Sequence, residues 1–194
     1  QLLPVAPFSG ERCWWSNSGD SIDTMLTREF DLREVETATL TFKIWYSIEE
    51  DWDYAYVVVS IDGGKTWEPL EGMTTTTGNP NGTSFGHGFT GESKDWLDEE
   101  VDLTPYTGQV VQVRFEYITD AVTNVHGICI DDMEILEIGF FDDAESHGGW
   151  AASGFVRTGN EIPQHWSVQV LRTREGGSSE ASRLQVGLDG TGEL

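Results

Sequence analysis

Basic residues, histidine and cysteine are all scarce in this 194-residue sequence, and each scarcity closes a route to function. Eleven Lys plus Arg stand against 34 Asp plus Glu, a net charge of -23. A surface so acidic repels polyanions, which excludes nucleic acid and membrane insertion among anionic lipids as its business. The four histidines, His87, His126, His147 and His165, are scattered, and none has the i, i+4 partner of an HExxH zinc helix. They read as surface or hydrogen-bonded side chains. Cys13 and Cys129 fit neither a zinc spacing nor a CxxC motif. They bridge if the first and last strands are neighbours, and otherwise are two buried thiols. No run of about 18 apolar residues is present, so no helix spans a membrane. The sequence opens on no charged segment followed by an apolar one, which leaves the compartment open. No serine sits in a recognisable nucleophile elbow with partnered His and Asp.

What fills the sequence is alternation. In "TATLTFKIWYSI" (37–48), Ala38, Leu40, Phe42, Ile44, Tyr46 and Ile48 take one face and Thr39, Thr41, Lys43 and Ser47 the other. That pattern is a half-buried strand. "YAYVVVS" (54–60) is apolar on both faces, as a central strand covered on both sides should be. "VVQVRFEYIT" (110–119) alternates again, "IDTMLTREFDL" (22–32) is an early strand, and "GICIDDMEILEI" (127–138) a last one. Asp62-Gly63-Gly64 supplies the positive φ of a hairpin turn. Antiparallel strands at this spacing, with no crossover helices, predict an all-β, two-sheet sandwich of jelly-roll type.

The rhythm breaks twice. Residues 71–96 are rich in Gly, Thr, Asn and Ser, and a loop that long is functional or mobile. Phe85, Phe89 and Trp96 predict that part of it packs down. After Ile138 a second unit is expected, with strand-like pieces at 150–157 and 165–172. The sequence thus divides into a jelly-roll domain over 1–138 and a partial second β module, or packed extension, over 139–194.

The ordered set "CWWSNSGDSIDTMLTREFDL", "ATLTFKIWYSIEEDWDYAYVVVSIDGGKTWEPL", "VRFEYITD" and "GICIDDMEI" resembles the β-sandwich found downstream of the protease domain in immune inhibitor A-type metallopeptidases. "DDAESHGGWAASGFV" resembles the start of the module that follows it. The resemblance covers nearly all of residues 9 to 160. It implies a non-catalytic accessory region of a secreted, extracellular bacterial zinc peptidase. Its partners would be the protease domain of the same polypeptide and, beyond that, a protein or glycan surface.

Residues 49–53, "EEDWD", place four acids at the mouth of a strand that is otherwise core. If 37–48 and 54–60 are antiparallel neighbours, this loop joins them at one end of the sandwich. The turn 17–23 and the loop 119–127 fall at that same end. Asp20, Asp23, Glu49, Glu50, Asp53, Asp120 and Asn124 then converge, with Asp131 close by. Such a set suits calcium, a hard cation that takes six to eight oxygens. The expected ligands are Glu50, Asp53 and Asp131, completed by Asp20 or Asp120 and backbone carbonyls. The alternative is a solvated acidic end with no ion. Glycosidase chemistry needs two acids held apart in an aromatic-walled cleft, which loop-end acids do not provide. Carbohydrate binding by exposed tryptophan and tyrosine is the rival function. Trp45, on the polar face of its strand, is the natural sugar platform, or else lies beneath the 71–96 loop or a neighbouring domain.

Overall fold

The computed structural model describes residues 2–161, 166–173 and 179–186. Its strands are β1 (Cys13–Trp15), β2 (Asp23–Asp31), β3 (Thr39–Ser47), β4 (Tyr54–Ser60), β5 (Glu68–Pro69) and β6 (Leu97–Asp102). They continue with β7 (Val110–Ile118), β8 (Gly127–Ile135), β9 (Phe140–Asp142), β10 (Ala151–Ser153), β11 (Val156–Thr158), β12 (Trp166–Thr173) and β13 (Ser179–Val186). Strands β1 to β11 form two antiparallel sheets. One runs β11-β1-β8-β3-β6 with β9 added to β8, and the other runs β10-β2-β7-β4-β5.

Alternation decides which side chains lie between the sheets. The inward set of β3, Leu40, Phe42, Ile44 and Tyr46, is buried with Ala38 and Ile48 in one core. From the other sheet Leu26 and Phe30 of β2, Ala55, Val57 and Val59 of β4, and Val111, Val113, Phe115 and Tyr117 of β7 meet them. Rings interlock edge to face, as between Phe42 and Phe115 at 5.1 Å. Burying a side chain of this size is worth roughly 1.5–3 kcal/mol.

Two expectations need correction. First, β3 and β4 are not neighbours. β3 pairs with β6 and β8, while β4 pairs with β5 and β7, so the segment between them crosses from one sheet to the other. Second, the boundary at 138 is misplaced. β9 pairs with β8, β10 with β2 and β11 with β1, and the compact unit spans Leu3–Asn160. Its core takes Ala144, Trp150 and Phe155 from the stretch expected to begin a second module or a packed extension, and through Asn160 it is the extension. Part of the 71–96 segment packs down as expected: Phe89 enters the core, while Phe85 is 70% exposed.

The long segment 71–96 is tied down by polar contacts rather than by strands of its own. Glu99, buried on β6, accepts hydrogen bonds from the amides of Met73 (2.8 Å) and Thr74 (2.9 Å). Trp96 donates through Nε1 to the carbonyl of Ala6 at 3.0 Å. The N-terminal segment lies on the outer face of β3 and β8, where Lys43 stacks 4.5 Å from the centre of the Phe8 ring. Asn160 clasps its start, accepting from Leu3 N and donating to the carbonyls of Leu3 and Val5. Strands β12 and β13 pair with each other from Trp166↔Val186 to Thr173↔Ser179, in a separate unit.

Candidate metal centre at the loop rim

Three connections cross between the sheets at the same end of the sandwich. β1 leads to β2, β3 to β4, and β7 to β8, each passing from one sheet to the other. Hydrogen bonds lock the crossings together. Ile22 N donates to Thr119 Oγ1 (3.0 Å), whose hydroxyl donates to Gly19 O (2.7 Å). Asn124 Nδ2 donates to Asp20 Oδ1 at 2.7 Å. Asp120 N donates to Asp53 Oδ1 at 2.7 Å.

The β3–β4 crossing is a tight turn. The amides of Trp52 and Asp53 both point to the Glu49 carbonyl, and Asp51 takes a positive φ of 66°. This turn aims Glu49 and Asp53 inward and leaves Glu50 outside. The result is a cluster in which carboxylate oxygens of Glu49, Asp53 and Asp120 all lie within 4.8 Å of one another. Asp53 is fully buried. Asp53 Oδ2, Glu49 Oε2 and the Tyr117 hydroxyl are buried atoms with no hydrogen-bond partner. Burial pushes the Asp53 carboxyl up to about 6, and the charges of Asp120, Glu49 and Asp20 add to the rise against the opposing Asp120 N–H bond. Burial likewise raises Tyr117, helped by the charges of Asp53 and Glu49. Unpaired buried oxygens and a buried carboxyl raised further by its acidic neighbours are what a cation relieves.

The model of the immune inhibitor A-like MAM domain matches residues 3–160, most of the chain and the whole compact sandwich. The chain belongs to this family. Among curated relatives, the pre-pro-metalloprotease PrtV of Vibrio cholerae is 33% identical over 158 residues, 80% of this chain but 17% of that protein. Immune inhibitor A of Bacillus thuringiensis subsp. alesti is 31% identical over 181 residues, covering 90% of this chain and 25% of the relative. Bacillopeptidase F of Bacillus subtilis is 36% identical over 98 residues, half of this chain and 6% of that protein. The chain therefore spans a quarter or less of the length of these relatives. An MAM module of that share is an accessory part of such a protein, not its catalytic unit.

Within this MAM module the expected ligand set divides. Asp53 and Asp120 are in the cluster, and Asp20 lies near enough to raise Asp53 while holding Asn124. Glu50 is exposed, its side chain beside Gly91. Its neighbour Glu49 occupies the place expected for it. Asp131 is elsewhere. It sits four residues into β8, opposite Lys43, about 13 Å along the strand from the rim. Its Oδ2 accepts from the amides of Phe8 (3.0 Å) and Ser9 (3.2 Å), and its Oδ1 from Asp132 N (2.9 Å). The N-terminal segment lying over this outer face buries it, and just beyond it β8 spends one extra residue between the pairs Thr41↔Glu134 and Lys43↔Asp131, with Asp132 at φ 42°.

The remaining site residues have structural surroundings. Cys13 and Cys129 are both buried and free, on the neighbouring strands β1 and β8. Trp45 is 4% exposed and meets His126 edge-on, so it offers no open platform for a sugar. His165 lies outside the described residues.

Proposed function

We propose that this chain is a non-catalytic, extracellular accessory module of a secreted bacterial zinc metallopeptidase, stabilised by calcium, that supports or orients the protease domain of the same polypeptide or its substrate. The observation that carries the calcium is the cluster of Glu49, Asp53 and Asp120, in which the buried Asp53 Oδ2 and Glu49 Oε2 have no hydrogen-bond donor. Glu49, Asp53 and Asp120 would hold the ion. A hard divalent cation bound there cancels their repulsion and pins the three sheet-to-sheet crossings to one another. The likeness to PrtV and immune inhibitor A, both named as or grouped with metalloproteases, supports the accessory role.

Calorimetric melting with calcium and with chelator tests this reading. An ion present at about 100 times its dissociation constant adds about 2.7 kcal/mol, which for a domain this size raises Tm by roughly 5–10 °C. Asp53→Asn should abolish that increment. A melting temperature indifferent to calcium and chelator would remove the ion from the account.

A further inference from the structure

The outer face of the sheet formed by β2, β7, β4 and β5 carries a groove that the metal reading does not use. Sheet faces turned to solvent are ordinarily polar, yet β4 places Tyr54, Tyr56 and Val58 on this side, all buried. The 71–96 segment covers them in part, with Phe85 N donating to the Tyr56 hydroxyl at 3.1 Å and the Tyr54 hydroxyl reaching Gly78 O at 3.1 Å. Two hollows remain, of about 410 and 220 Å³, sharing Tyr56, Phe85 and Ile118 as a common wall. The larger ends at Trp67 and the smaller at Trp52. Phe85 and Trp52 stand 70% and 44% exposed over the groove, a large apolar surface left to water.

The charged side chains lining the two hollows are acids, Glu116 and Asp120. The neighbouring cation, Arg114, is already engaged: the guanidinium lies 3.8 Å from the centre of the Trp67 ring, bonds Thr27 Oγ1 at 3.0 Å and reaches Glu116 at 3.7 Å. Beside it Asp23 on β2 lies close enough for its charge to raise the Glu116 carboxyl on β7, after burial, so two acids neighbour one another across the strands. Asp120 closes the far end. An apolar trough flanked by paired acids is complementary to a chain that alternates apolar and cationic side chains. A sugar fits it poorly, since both tyrosine hydroxyls are held by the 71–96 segment and Arg114 covers Trp67.

We propose that this groove binds an extended peptide segment, which lays an apolar side chain against Phe85 and Trp52 and sets a lysine or arginine against the Asp23–Glu116 pair. The site gives the accessory reading a substrate-facing surface and rests on that reading for its purpose; it adjoins the metal centre at Asp120, which the tested variants leave in place. Peptide capture there would hold a polypeptide near a protease without cleaving it.

The test is fluorescence anisotropy on the full 194-residue chain with calcium present throughout. The probes are a labelled peptide alternating phenylalanine and lysine, its glutamate counterpart, and a labelled chito-oligosaccharide. The lysine peptide should bind, and Phe85→Ser or Glu116→Gln should each weaken it by about tenfold or more. Glu100→Gln, an acid on the outer face of the other sheet, should leave binding unchanged and so separates the groove from general charge attraction. Absence of binding, equal binding of the glutamate peptide, an equal loss with Glu100→Gln, or Phe85-dependent binding of the sugar alone would each overturn the proposal. Melting in chelator judges the metal reading separately, so either can fail without the other.

Discussion

Asp53 and Asp131 are two fully buried carboxyls, each raised to about 6 chiefly by burial, but their surroundings differ. Asp131 receives three backbone N–H groups, whereas Asp53 receives one and faces Glu49 and Asp120. Opposite responses to substitution follow. Asp131→Ala frees the amides of Phe8 and Ser9 and should cost about 1–3 kcal/mol in urea unfolding. Asp53→Asn removes a charge from a repelling cluster, so the ion-free protein at pH 7.5 should melt no lower than the parent while losing its calcium response. Protonation has a definite sign for both residues. The native protein holds protons that the unfolded chain, titrating near 3.8, has released. Stability from each is therefore complete below about pH 4 and is lost as pH rises through about 6. Calcium requires Asp53 ionised, so its stabilising increment should be largest above pH 6 and fade below it. Melting curves from pH 5 to 7.5 with and without calcium check this, and an increment as large at pH 5 as at pH 7.5 would contradict it.

At the scale of elements, the rim depends on the crossings being held to a tight path. Gly127 opens β8 at φ 79°, and a Cβ there would lie 2.4 Å from Ser16 Oγ and 2.5 Å from the Asn17 carbonyl. Gly127→Ala combines a left-handed backbone with a clash against the neighbouring crossing, and should destabilise by more than about 2 kcal/mol in urea unfolding. The strands themselves were legible in the sequence because period-two alternation reports which side chains face inward. It does not report which sheet a strand joins, and so β3 and β4 read as a hairpin when they belong to opposite sheets. The acids still meet at one end, because a crossing between sheets returns the chain to the same rim as a hairpin would. β6 was hidden because its inward positions include Glu99, an acid that is buried only because the 71–76 backbone donates to it. The ligand set slipped by one residue at Glu49 and Glu50, since the positive φ at Asp51 sets the turn and aspartate is no clear signal for it. Asp131 was misplaced because four residues of β8 carry it about 13 Å from the rim, onto an outer face that the distant Phe8–Ser9 backbone covers.

For the whole molecule, the question is where the folding unit ends. Trp150 packs against Phe30, Phe115 and Phe140, with ring centres between 5.7 and 6.4 Å, at the heart of the sandwich. Losing one buried tryptophan costs about 3–5 kcal/mol, against a total stability of about 5–15 kcal/mol for a typical domain. A chain cut at 138 loses Trp150, Phe155 and Ala144 together, and strips β11 from β1 and β10 from β2. It also removes Asn160, which fastens Leu3 and with it the N-terminal segment over Asp131. A net charge of -23 leaves little margin for such losses, because repulsion among surface acids already works against the compact state. A chain ending at 138 should therefore show no cooperative melting transition at pH 7.5. One ending at 160 keeps every strand of both sheets, and should melt within about 2 °C of the full chain and respond to calcium as it does. Calorimetry on the two truncations decides the boundary. Cooperative melting at 138, or a collapse of the transition at 160, would move the edge of the module.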